Sequence, residues 1–369
     1  MSKRRASKNV EYDVNYGVLD AFKRKAMQAA SENTFAPIGP GFREVRGTRG
    51  ESAYLLERRN SIYAFVVEGL GTLSEIAKEM LEEIGISYME QVSRANFATI
   101  ANDLAACGAE PLVANSFISV GNEGWFKNPH VRKGLIKGWM DACKEVGCVP
   151  GGGETQKLRD IVHTKSVVLG GAALGIIEPK SRCIKGNVKA GDRLVMIASS
   201  GIHANGITMA RDVARKLKDG FLTRMPNTQL YGDALLRPKH VLYGPVIQAA
   251  LNERIAIHYV SNITGHGWRK VMRLEKPFTY FVNKLPVPQP VFDFIQKHSG
   301  ASDKKMYGTF NMGAGCLLVV PPRSVRRLLD LLDRLGYEGL EIGYVKSGPR
   351  RVIMPRDIGT FKSDEYQVR

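Results

Sequence analysis

The sequence predicts an α/β (α+β) protein with two domains, and three observations support that prediction. The 369 residues exceed what one ordinary hydrophobic core needs and suit two domains. Short apolar runs typical of strands alternate with amphipathic segments typical of helices in both halves of the chain. The composition changes at residues 178–181, Glu-Pro-Lys-Ser. We therefore expect a polar arm at 1–35, a first domain at 36–178 and a second domain at 179–369.

The first half contains an arm helix followed by alternating strands and helices. In the arm, Val18, Phe22 and Ala26 recur at helical spacing, and Asn15 is a residue type suited to the N-cap. Residues 38–50 are rich in glycine and arginine, which suits either a surface loop or a clamp for an anion. Apolar runs and glycine stops then predict strands at 61–67, 113–120 and 165–177, and helices at 73–84, 92–107 and 130–147.

The second half begins with a strand, a loop of small residues and a helix. The strand is predicted at 193–198, the loop at 199–206 and the helix at 207–217. This order favours anion binding, because free N–H groups and the helix dipole point toward the loop. A plain connection between packed elements is the alternative. Further helices are predicted near 245–251 and 267–274, and a buried strand follows residue 315.

Four polar, glycine-containing loops share one character and indicate one ligand site. They lie at 306–315, 151–155, 199–206 and 262–267. Glycine lets the backbone approach a ligand closely, and short polar side chains such as Thr309 and Asn311 can hydrogen-bond to it. Loops of this kind, each joined to a strand or helix, predict a site for a polyanion.

The net charge of +17 creates a field that favours anionic partners. The basic residues are spread along the chain, and no zinc finger, recognition-helix signature or aromatic RNA-binding motif accompanies them. We therefore do not predict dedicated nucleic-acid binding, although the charge alone does not exclude it. Adaptation of the whole surface to a salty or RNA-crowded cytoplasm is the more ordinary explanation.

Cysteine content and hydropathy indicate a cytoplasmic protein. The five cysteines, at 107, 143, 148, 183 and 316, match neither a disulfide framework nor a zinc spacing. Four residues separate Cys143 from Cys148, so the spacing does not predict a redox pair. No apolar run reaches the roughly 18 residues that span a bilayer, and the basic N-terminus lacks a secretory apolar core.

Taken together, these segments resemble the aminoimidazole ribonucleotide (AIR) synthetases, the phosphoribosylformylglycinamidine cyclo-ligases of purine synthesis, within an ATP-dependent superfamily. The resemblance extends from about residue 12 to residue 350. The segments that show it are 102–104, 108–112, 152–155, 199–206, 236–243, 264–265 and 306–313. Their order and spacing both match the family.

The resemblance implies a two-domain AIR-synthetase-like fold. A β-rich N-terminal half would form the core of a homodimer, an α/β half would follow, and ATP would lie between the halves. The implied reaction is ATP-driven ring closure of a small phosphoribosyl substrate, formylglycinamidine ribonucleotide. Its formyl amide oxygen is phosphorylated, an amidine nitrogen attacks the imidate carbon, and phosphate leaves. ATP and Mg²⁺ are the implied cofactors, because triphosphate charge needs a divalent cation and aligned donors.

Site residues follow from the matched segments. Asp103, Glu154 and Glu68 are the candidate magnesium ligands, since hard cations prefer carboxylate oxygen; a helix cap or a surface charge is the alternative for each. Asp103, Asn205 and His203 are the candidate catalytic residues. We expect Asn205 to orient the substrate and His203 to donate or transfer a proton. A structural hydrogen bond is the alternative for His203. The positions expected to bind nucleotide are Gly69, Gly71, Thr72, Arg43, Arg46, Asn102, Gly152, Gly153, Thr155, Thr264, Gly265, Thr309 and Asn311.

Two segments depart from the family pattern. Where the family has Asp-Gly-Val-Gly-Thr-Lys, residues 68–73 read Glu-Gly-Leu-Gly-Thr-Leu, so the lysine is absent. Arg43, Arg46 and Arg49 are candidates to replace its charge, because arginine can bind phosphate through two nitrogens. The family's His-Leu-Thr-Gly-Gly-Gly becomes Asn-Ile-Thr-Gly-His-Gly at 262–267, which introduces His266 and narrows the space for backbone approach.

Other functions remain open. A sister enzyme could use the same ATP chemistry on another acceptor, and a catalytically silent relative could serve as a basic scaffold. A selenophosphate synthetase would have a reactive residue near its N-terminus, whereas the first cysteine here is Cys107; a hydrogenase-maturation relative would end in cysteine, whereas this chain ends at Arg369. A Rossmann dehydrogenase is disfavoured because its glycine fingerprint is missing.

Overall fold

The computed structural model describes residues 16–32, 39–355 and 357–366. The N-cap expected at Asn15 lies outside the described residues, and the arm helix is present as α1 (Tyr16–Glu32). None of the helices in the described part of the chain is long and apolar enough to cross a membrane.

Six strands form the sheet of the first half, in the order β1, β2, β3, β6, β4, β5. Their bounds are β1 (Arg43–Glu44), β2 (Tyr54–Arg58), β3 (Ser61–Gly69), β4 (Glu110–Val120), β5 (Val149–Lys157) and β6 (Val167–Ile177). Neighbouring strands are antiparallel, except that β4 and β5 run parallel. Along β3, Ile62 and Val66 point into the core whereas Phe65 and Val67 are exposed, because successive side chains alternate between faces.

Three helices pack against the inner face of this sheet. They are α2 (Leu73–Ile84), α3 (Met89–Ala106) and α4 (Pro129–Glu145). Helix α3 is buried along most of its length, because it lies between the first sheet and the second half of the protein.

The second half contains a seven-stranded sheet in the order β13, β12, β9, β11, β7, β10, β8. The strands are β7 (Arg193–Ala198), β8 (Tyr259–Asn262), β9 (Phe278–Val282), β10 (Ala314–Val320), β11 (Gly339–Ser347), β12 (Arg351–Ile353) and β13 (Thr360–Lys362). The helices are α5 (Ile207–Lys216), α6 (Tyr231–Leu236), α7 (Gly244–Asn252), α8 (Pro290–Ser299), α9 (Asp303–Tyr307) and α10 (Val325–Arg334). All of β10 is buried, as expected for an apolar strand between two neighbours.

The two halves are joined by hydrogen bonds from α3 as well as by apolar packing. Asn102 on α3 donates from Nδ2 to the carbonyl of Val241 (2.9 Å), and its Oδ1 accepts from the N–H of Tyr243 (2.8 Å). Gln248 donates to the carbonyl of Gly108 (3.0 Å). One apolar cluster contains residues of both halves, Met80 and Tyr231 among them. The halves therefore pack closely enough for one site to use residues from both.

Two local predictions differ from the structure. Residues 151–155 were expected as a loop but lie within β5. There the ladder to β4 shifts register beside Ala114, and a Cβ on Gly153 (φ 153°) would lie 2.0 Å from the Ser116 carbonyl oxygen, so glycine is needed. The helix expected at 267–274 is a 3₁₀ helix, Gly267–Met272.

Cys143 and Cys148 lie closer together than their spacing indicated. Their thiols hydrogen-bond to each other, which raises the pKa of Cys143 and lowers that of Cys148. The contact forms because the chain reverses direction after α4 through Gly147 (φ 70°), and the N–H of Cys148 donates to the Cys143 carbonyl (2.9 Å).

Candidate active site between the two halves

A cavity of about 280 Å³, which we call the acid cavity, opens where the end of β3 meets α3 and the segment after β8. Its charged lining consists of two carboxylates, Glu68 and Asp103, and the cations Lys23, Lys270 and Arg273. Its other polar lining residues are Thr99, Asn205, Thr264, Gly265, His266 and Tyr366. Both halves of the protein thus contribute to one charged site.

The two carboxylates have different surroundings. Asp103 is 7 % exposed on the last turns of α3, and its Oδ1 accepts a hydrogen bond from Asn262 Nδ2 (2.8 Å). Glu68 is exposed near the end of β3. Desolvation within the cavity and the nearby charge of Asp103 raise the pKa of Glu68. Like charges repel at short range, so this pair favours a cation.

Lys270 lies on the 3₁₀ helix that follows the loop at 262–267. Its Nζ donates to Thr264 Oγ1. Burial and the neighbouring Arg273 lower the pKa of Lys270 to about 8, while Asp103 and Glu68 act in the opposite direction. The ammonium is therefore close to losing its proton near neutral pH, a condition typical of functional sites.

His266 attaches helix α1 to the acid cavity. Its Nε2 lies 3.0 Å from Asp20 Oδ2, and both side chains are buried. Burial lowers the pKa of His266 to about 4, against the opposing effect of Asp20. The next turn of α1 carries Lys23 into the cavity wall. The histidine that replaces a family glycine thus brings α1 to the site.

A second cavity of about 230 Å³, which we call the slot, lies between α3, α4 and the strands β4 and β5. Its walls are apolar and include Trp139, Leu135 and Leu169. Asn96, 2 % exposed, also lines the slot; its Nδ2 donates to the Gly170 carbonyl (2.9 Å), and its buried Oδ1 has no hydrogen-bond partner among the described residues. A buried acceptor without a partner is costly unless a ligand supplies a donor.

A third, open groove of about 770 Å³ lies along the outer face of the same sheet, where Val67, Phe117 and Val168 line it. Some strand residues belong to its lining and to that of a cavity on the inner face, Leu169 to the slot and Glu68 to the acid cavity, because the sheet separates these regions. The slot and the acid cavity both lie on the helix side of the sheet. Successive turns of α3 bring Asn96 to the slot and Thr99 to the acid cavity.

The structure brings several of the predicted residues to these three regions. Glu68, Gly69, Asp103, Asn205, Thr264 and Gly265 line the acid cavity, Gly153 and Glu154 line the groove, and Gly152 lines the slot. Gly71 and Thr72 are exposed just before α2, Thr155 is exposed on β5, and the N–H of Thr309 donates to the Met306 carbonyl. A ligand role for each of these residues stays a prediction.

The arginines expected to replace the missing lysine lie elsewhere. Arg43 is 79 % exposed and pairs with Glu57 (3.4 Å). Arg49 binds Glu44 through two nitrogens (2.8 and 2.7 Å). Arg46 lines a separate cavity of about 260 Å³. Arg43 lies on the short strand β1, Arg46 and Arg49 follow it, and none of the three lines the acid cavity.

Asn102 and Asn311, both expected to bind nucleotide, use their amides inside the protein. Asn102 joins the two halves as described above. Asn311 is fully buried; it accepts from Ser199 Oγ (2.9 Å) and the Gly313 N–H (3.0 Å), and donates to the Gly201 carbonyl (2.9 Å). Both residues position loops, because each amide already has protein partners.

His203 is packed against protein groups. Its ring stacks on His240 with centroids 4.0 Å apart, and the N–H of Ser200 donates to its Nε2 (3.3 Å). Burial lowers the pKa of His203 to about 3, so the imidazole is neutral. This arrangement fits the structural alternative and not a proton carrier.

Sequence reasoning missed Lys23, Asn96, Lys270 and Arg273. Lys270 and Arg273 are three residues apart just after a predicted binding loop, so a helical turn there places both near that loop. That spacing was the available signal. Asn96 shares helical spacing with Thr99 and Asp103, which predicts one polar face of that helix. Lys23 gave no signal, because its position depends on how α1 packs.

Comparisons with known proteins identify relatives of both halves of the chain. The family described as AIR synthase related protein, N-terminal domain, matches residues 50–177, and the corresponding C-terminal domain family matches residues 189–354. The phosphoribosylformylglycinamidine cyclo-ligase of Carboxydothermus hydrogenoformans is 30 % identical over 356 residues, covering 94 % of this chain and 96 % of that protein. That of Clostridium kluyveri is 31 % identical over 349 residues, covering 93 % and 98 %.

Solved structures show the same fold at lower identity. Protein tt0281 from Thermus thermophilus aligns with a TM-score of 0.58 and 18 % identity, over 90 % of this chain and 96 % of that one. AaThiL, solved with AMPPCP and TMP, aligns with a TM-score of 0.58 and 12 % identity, over 94 % and 95 %. Since the two family matches together span most of the sequence, the chain belongs to the AIR synthase related protein family.

Proposed function

We propose that this chain is an ATP-dependent ligase, the phosphoribosylformylglycinamidine cyclo-ligase of purine biosynthesis. The observation that most favours this function is the pair of cavities lined by successive turns of α3, one apolar and one charged, within a chain whose full-length relatives bear that enzyme's name. A nucleoside triphosphate has the matching shape and polarity, an apolar ring at one end and a polyanion at the other.

The slot suits the adenine ring. Its apolar walls can stack on a planar base, and Asn96, whose Oδ1 has no hydrogen-bond partner among the described residues, lines the same cavity. The triphosphate would extend along α3 toward the acid cavity. Gly152 in the slot wall permits close backbone approach. ATP-analogue complexes are known for fold relatives such as AaThiL.

Mg²⁺ fits the acid cavity through two residues. Glu68 and Asp103 line the same cavity, and Mg²⁺ usually needs only one or two carboxylates beside phosphates and water. In the described part of the chain, no group of three or more His, Cys, Asp or Glu side chains could hold a metal. Glu154 therefore does not join the other two in one site, and lines the groove instead. A bound Mg²⁺ would offset phosphate charge.

The remaining residues would orient the reacting groups. Asn262 fixes one oxygen of Asp103 and leaves the other facing the cavity. Asn205 and Thr264 offer polar side chains to the substrate. The formyl amide oxygen takes the phosphoryl group, the amidine nitrogen then forms the new C–N bond, and phosphate leaves with the original oxygen. Alignment of the partners supplies much of the rate gain.

A homodimer through the first sheet is part of this proposal. The outer face of that sheet exposes Phe65 (48 %), Val67 (65 %), Phe117 (37 %) and Val168 (47 %), a contiguous apolar surface of the kind that marks an interface. A second copy would cover this face and the adjoining groove. Light scattering of the purified protein, with Val67→Glu as the interface variant, measures the oligomeric state directly.

The decisive assay combines protein, Mg²⁺, ATP and formylglycinamidine ribonucleotide, and follows both ADP and the aminoimidazole product. Product that requires Asp103, as judged with Asp103→Asn, supports the cyclo-ligase. ADP without this product would instead favour a sister enzyme with another acceptor. If neither forms, the catalytically silent scaffold is favoured.

A further inference from the structure

The three cations of the acid cavity differ in how they are held. The guanidinium of Arg273 donates to Ser52 Oγ and to the Gly50 carbonyl (both 3.0 Å), and its Nε lies 3.5 Å from Glu51. It therefore fastens the turn before β2 to the second half. Its side chain is only 12 % exposed, and its donors are directed into that turn.

Lys23 is a more peripheral cation. It lies on α1, its side chain is 53 % exposed, and its Nζ is 3.8 Å from Asp20 Oδ1. An exposed lysine at this distance contributes little binding free energy, because water and salt screen its charge.

Lys270 is held in the interior of the cavity. An ammonium group has three N–H donors, and the hydrogen bond to Thr264 uses one of them. Glu68 and Asp103 interact electrostatically with Lys270 across the cavity. A phosphoryl group entering here would thus lie between a carboxylate pair and an ammonium that still has donors to offer.

The segment at 68–73 cannot provide that charge. Leu73 is 4 % exposed at the first turn of α2 and packs in the main apolar core. A lysine there would have to leave the core to reach a ligand.

We propose that Lys270 binds the phosphoryl group in the acid cavity, opposite Glu68 and Asp103. Lys270 is then a specificity-determining residue for the anionic end of the ligand. The positive charge that is absent from residues 68–73 is supplied instead by the 3₁₀ helix after β8. The inference rests on the proposed nucleotide site, and it predicts that losing this ammonium weakens nucleotide binding more than it slows turnover.

The test compares Lys270→Met, Lys270→Arg and the matched control Lys276→Met, with melting curves to confirm folding. Lys276 lies six residues further on, donates to the Gly186 carbonyl (2.8 Å) and lines the separate cavity near Arg46. For Lys270→Met we expect KM for Mg-ATP to rise about tenfold or more, as for a lost charged hydrogen bond. Lys270→Arg should recover most of this loss, and Lys276→Met should match the unsubstituted protein.

A pH profile provides the second readout. The charged groups facing Lys270 are Arg273, Lys23, Asp103 and Glu68, and the pKa of Lys270 is lowered to about 8. We therefore expect kcat/KM for Mg-ATP to fall above about pH 8, and the Lys270→Arg profile to stay flat through that range, because arginine keeps its charge.

The outcomes separate this inference from the proposed function. Calorimetric titration with Mg-ATP reports nucleotide binding even if no aminoimidazole forms. One outcome overturns the inference alone. The unsubstituted protein binds or consumes Mg-ATP, and Lys270→Met keeps both its KM or Kd for Mg-ATP and its pH profile. Lys270 would then only neutralise the carboxylates. If the unsubstituted protein neither binds nor consumes Mg-ATP, the proposed function itself fails.

Discussion

The acid cavity and the slot are lined by successive turns of α3, yet they are built differently. The slot lies within the first half, and α3, α4 and the sheet surround it with apolar side chains. The acid cavity needs both halves and is dominated by charge. The shape of the slot and one hydrogen-bond acceptor can select a base. In the acid cavity, by contrast, the charges of the carboxylates, the cations and the ligand must balance one another. Changes at the two cavities should therefore affect different kinetic constants.

The largest effect is expected from Asp103→Asn. This substitution keeps the shape of the side chain and its contact with Asn262, but it removes the buried negative charge from the cavity. We expect kcat to fall by about 10²- to 10³-fold, the range found when a pre-organised charge-stabilising group is lost. Steady-state kinetics at saturating Mg-ATP provide the measurement. If the affinity for Mg-ATP fell while kcat stayed unchanged, Asp103 would have a role in nucleotide binding and none in catalysis.

A smaller effect, confined to nucleotide choice, is expected from Asn96→Leu. In the proposed nucleotide site, Asn96 Oδ1, which has no partner among the described residues, would accept from the amine of adenine and would oppose the oxygen at the same position of guanine. The unsubstituted protein should prefer ATP over GTP by about tenfold or more, and Asn96→Leu should bring that ratio close to one, because a lost hydrogen bond removes discrimination.

The ratio matters here more than the absolute rates, since Asn96 also donates to Gly170 and its loss destabilises the fold. Asn122→Leu serves as control; Asn122 caps the 3₁₀ helix Glu123–Lys127, outside the slot. An unchanged ATP:GTP ratio in Asn96→Leu would show that another group reads the base.

The loss of stability on acidification should also distinguish the two regions. Among the described residues that line them, His266 of the acid cavity is a buried histidine, and the slot has no histidine. Burial lowers the pKa of His266 to about 4, from an ordinary value of 6.5. Between these values the unfolded chain binds a proton that the folded protein does not. The free energy of unfolding therefore falls as the pH drops from 6.5 to 4, by at most about 1.4 kcal/mol per pH unit from this residue.

Denaturant titrations across this range provide the measurement for His266→Asn. We expect the variant to lose less stability on acidification than the unsubstituted protein, and the exposed His130→Asn control to follow the unsubstituted curve. Parallel curves for all three proteins would mean that α1 and the Asp20 contact release before His266 takes up its proton.

Much of the architecture could be predicted from the sequence, because the burial of one face of a helix or strand makes apolar residues recur at a regular spacing. The strand at 193–198 and the helices near α2 and α3 follow from apolar spacing alone. The resemblance also located Asp103, Asn205 and Thr264, which the fold brings to one cavity. Residues 151–155 were mistaken for a loop, since a glycine run in a bulged edge strand has the composition of a turn.

The charge balance of the site could not be predicted in the same way. Arg43, Arg46 and Arg49 are near residue 68 in sequence, and that proximity suggested a role in binding phosphate. Which cation reaches a cavity depends on tertiary packing: Lys270 follows β8, and β8 meets α3 across the interface between the halves. The spacing of Lys270 and Arg273 indicates that both lie near the loop at 262–267, but no local pattern reports that β8 meets α3.

The smallest effects are expected from Arg43→Ala and Arg46→Ala, which test this explanation directly. Arg43 is 79 % exposed beside Glu57, and Arg46 faces a cavity separate from the proposed nucleotide site. Exposed ion pairs contribute little free energy, so KM for Mg-ATP should stay within about twofold of the unsubstituted value in both variants. The KM measurement on Lys270→Met serves as the reference. A large rise in KM for Lys270→Met, with no rise for the two arginine variants, assigns the phosphate-binding charge to the segment after β8. A tenfold rise in KM for either arginine variant would show that the segment at 38–50 closes over the nucleotide as an anion clamp.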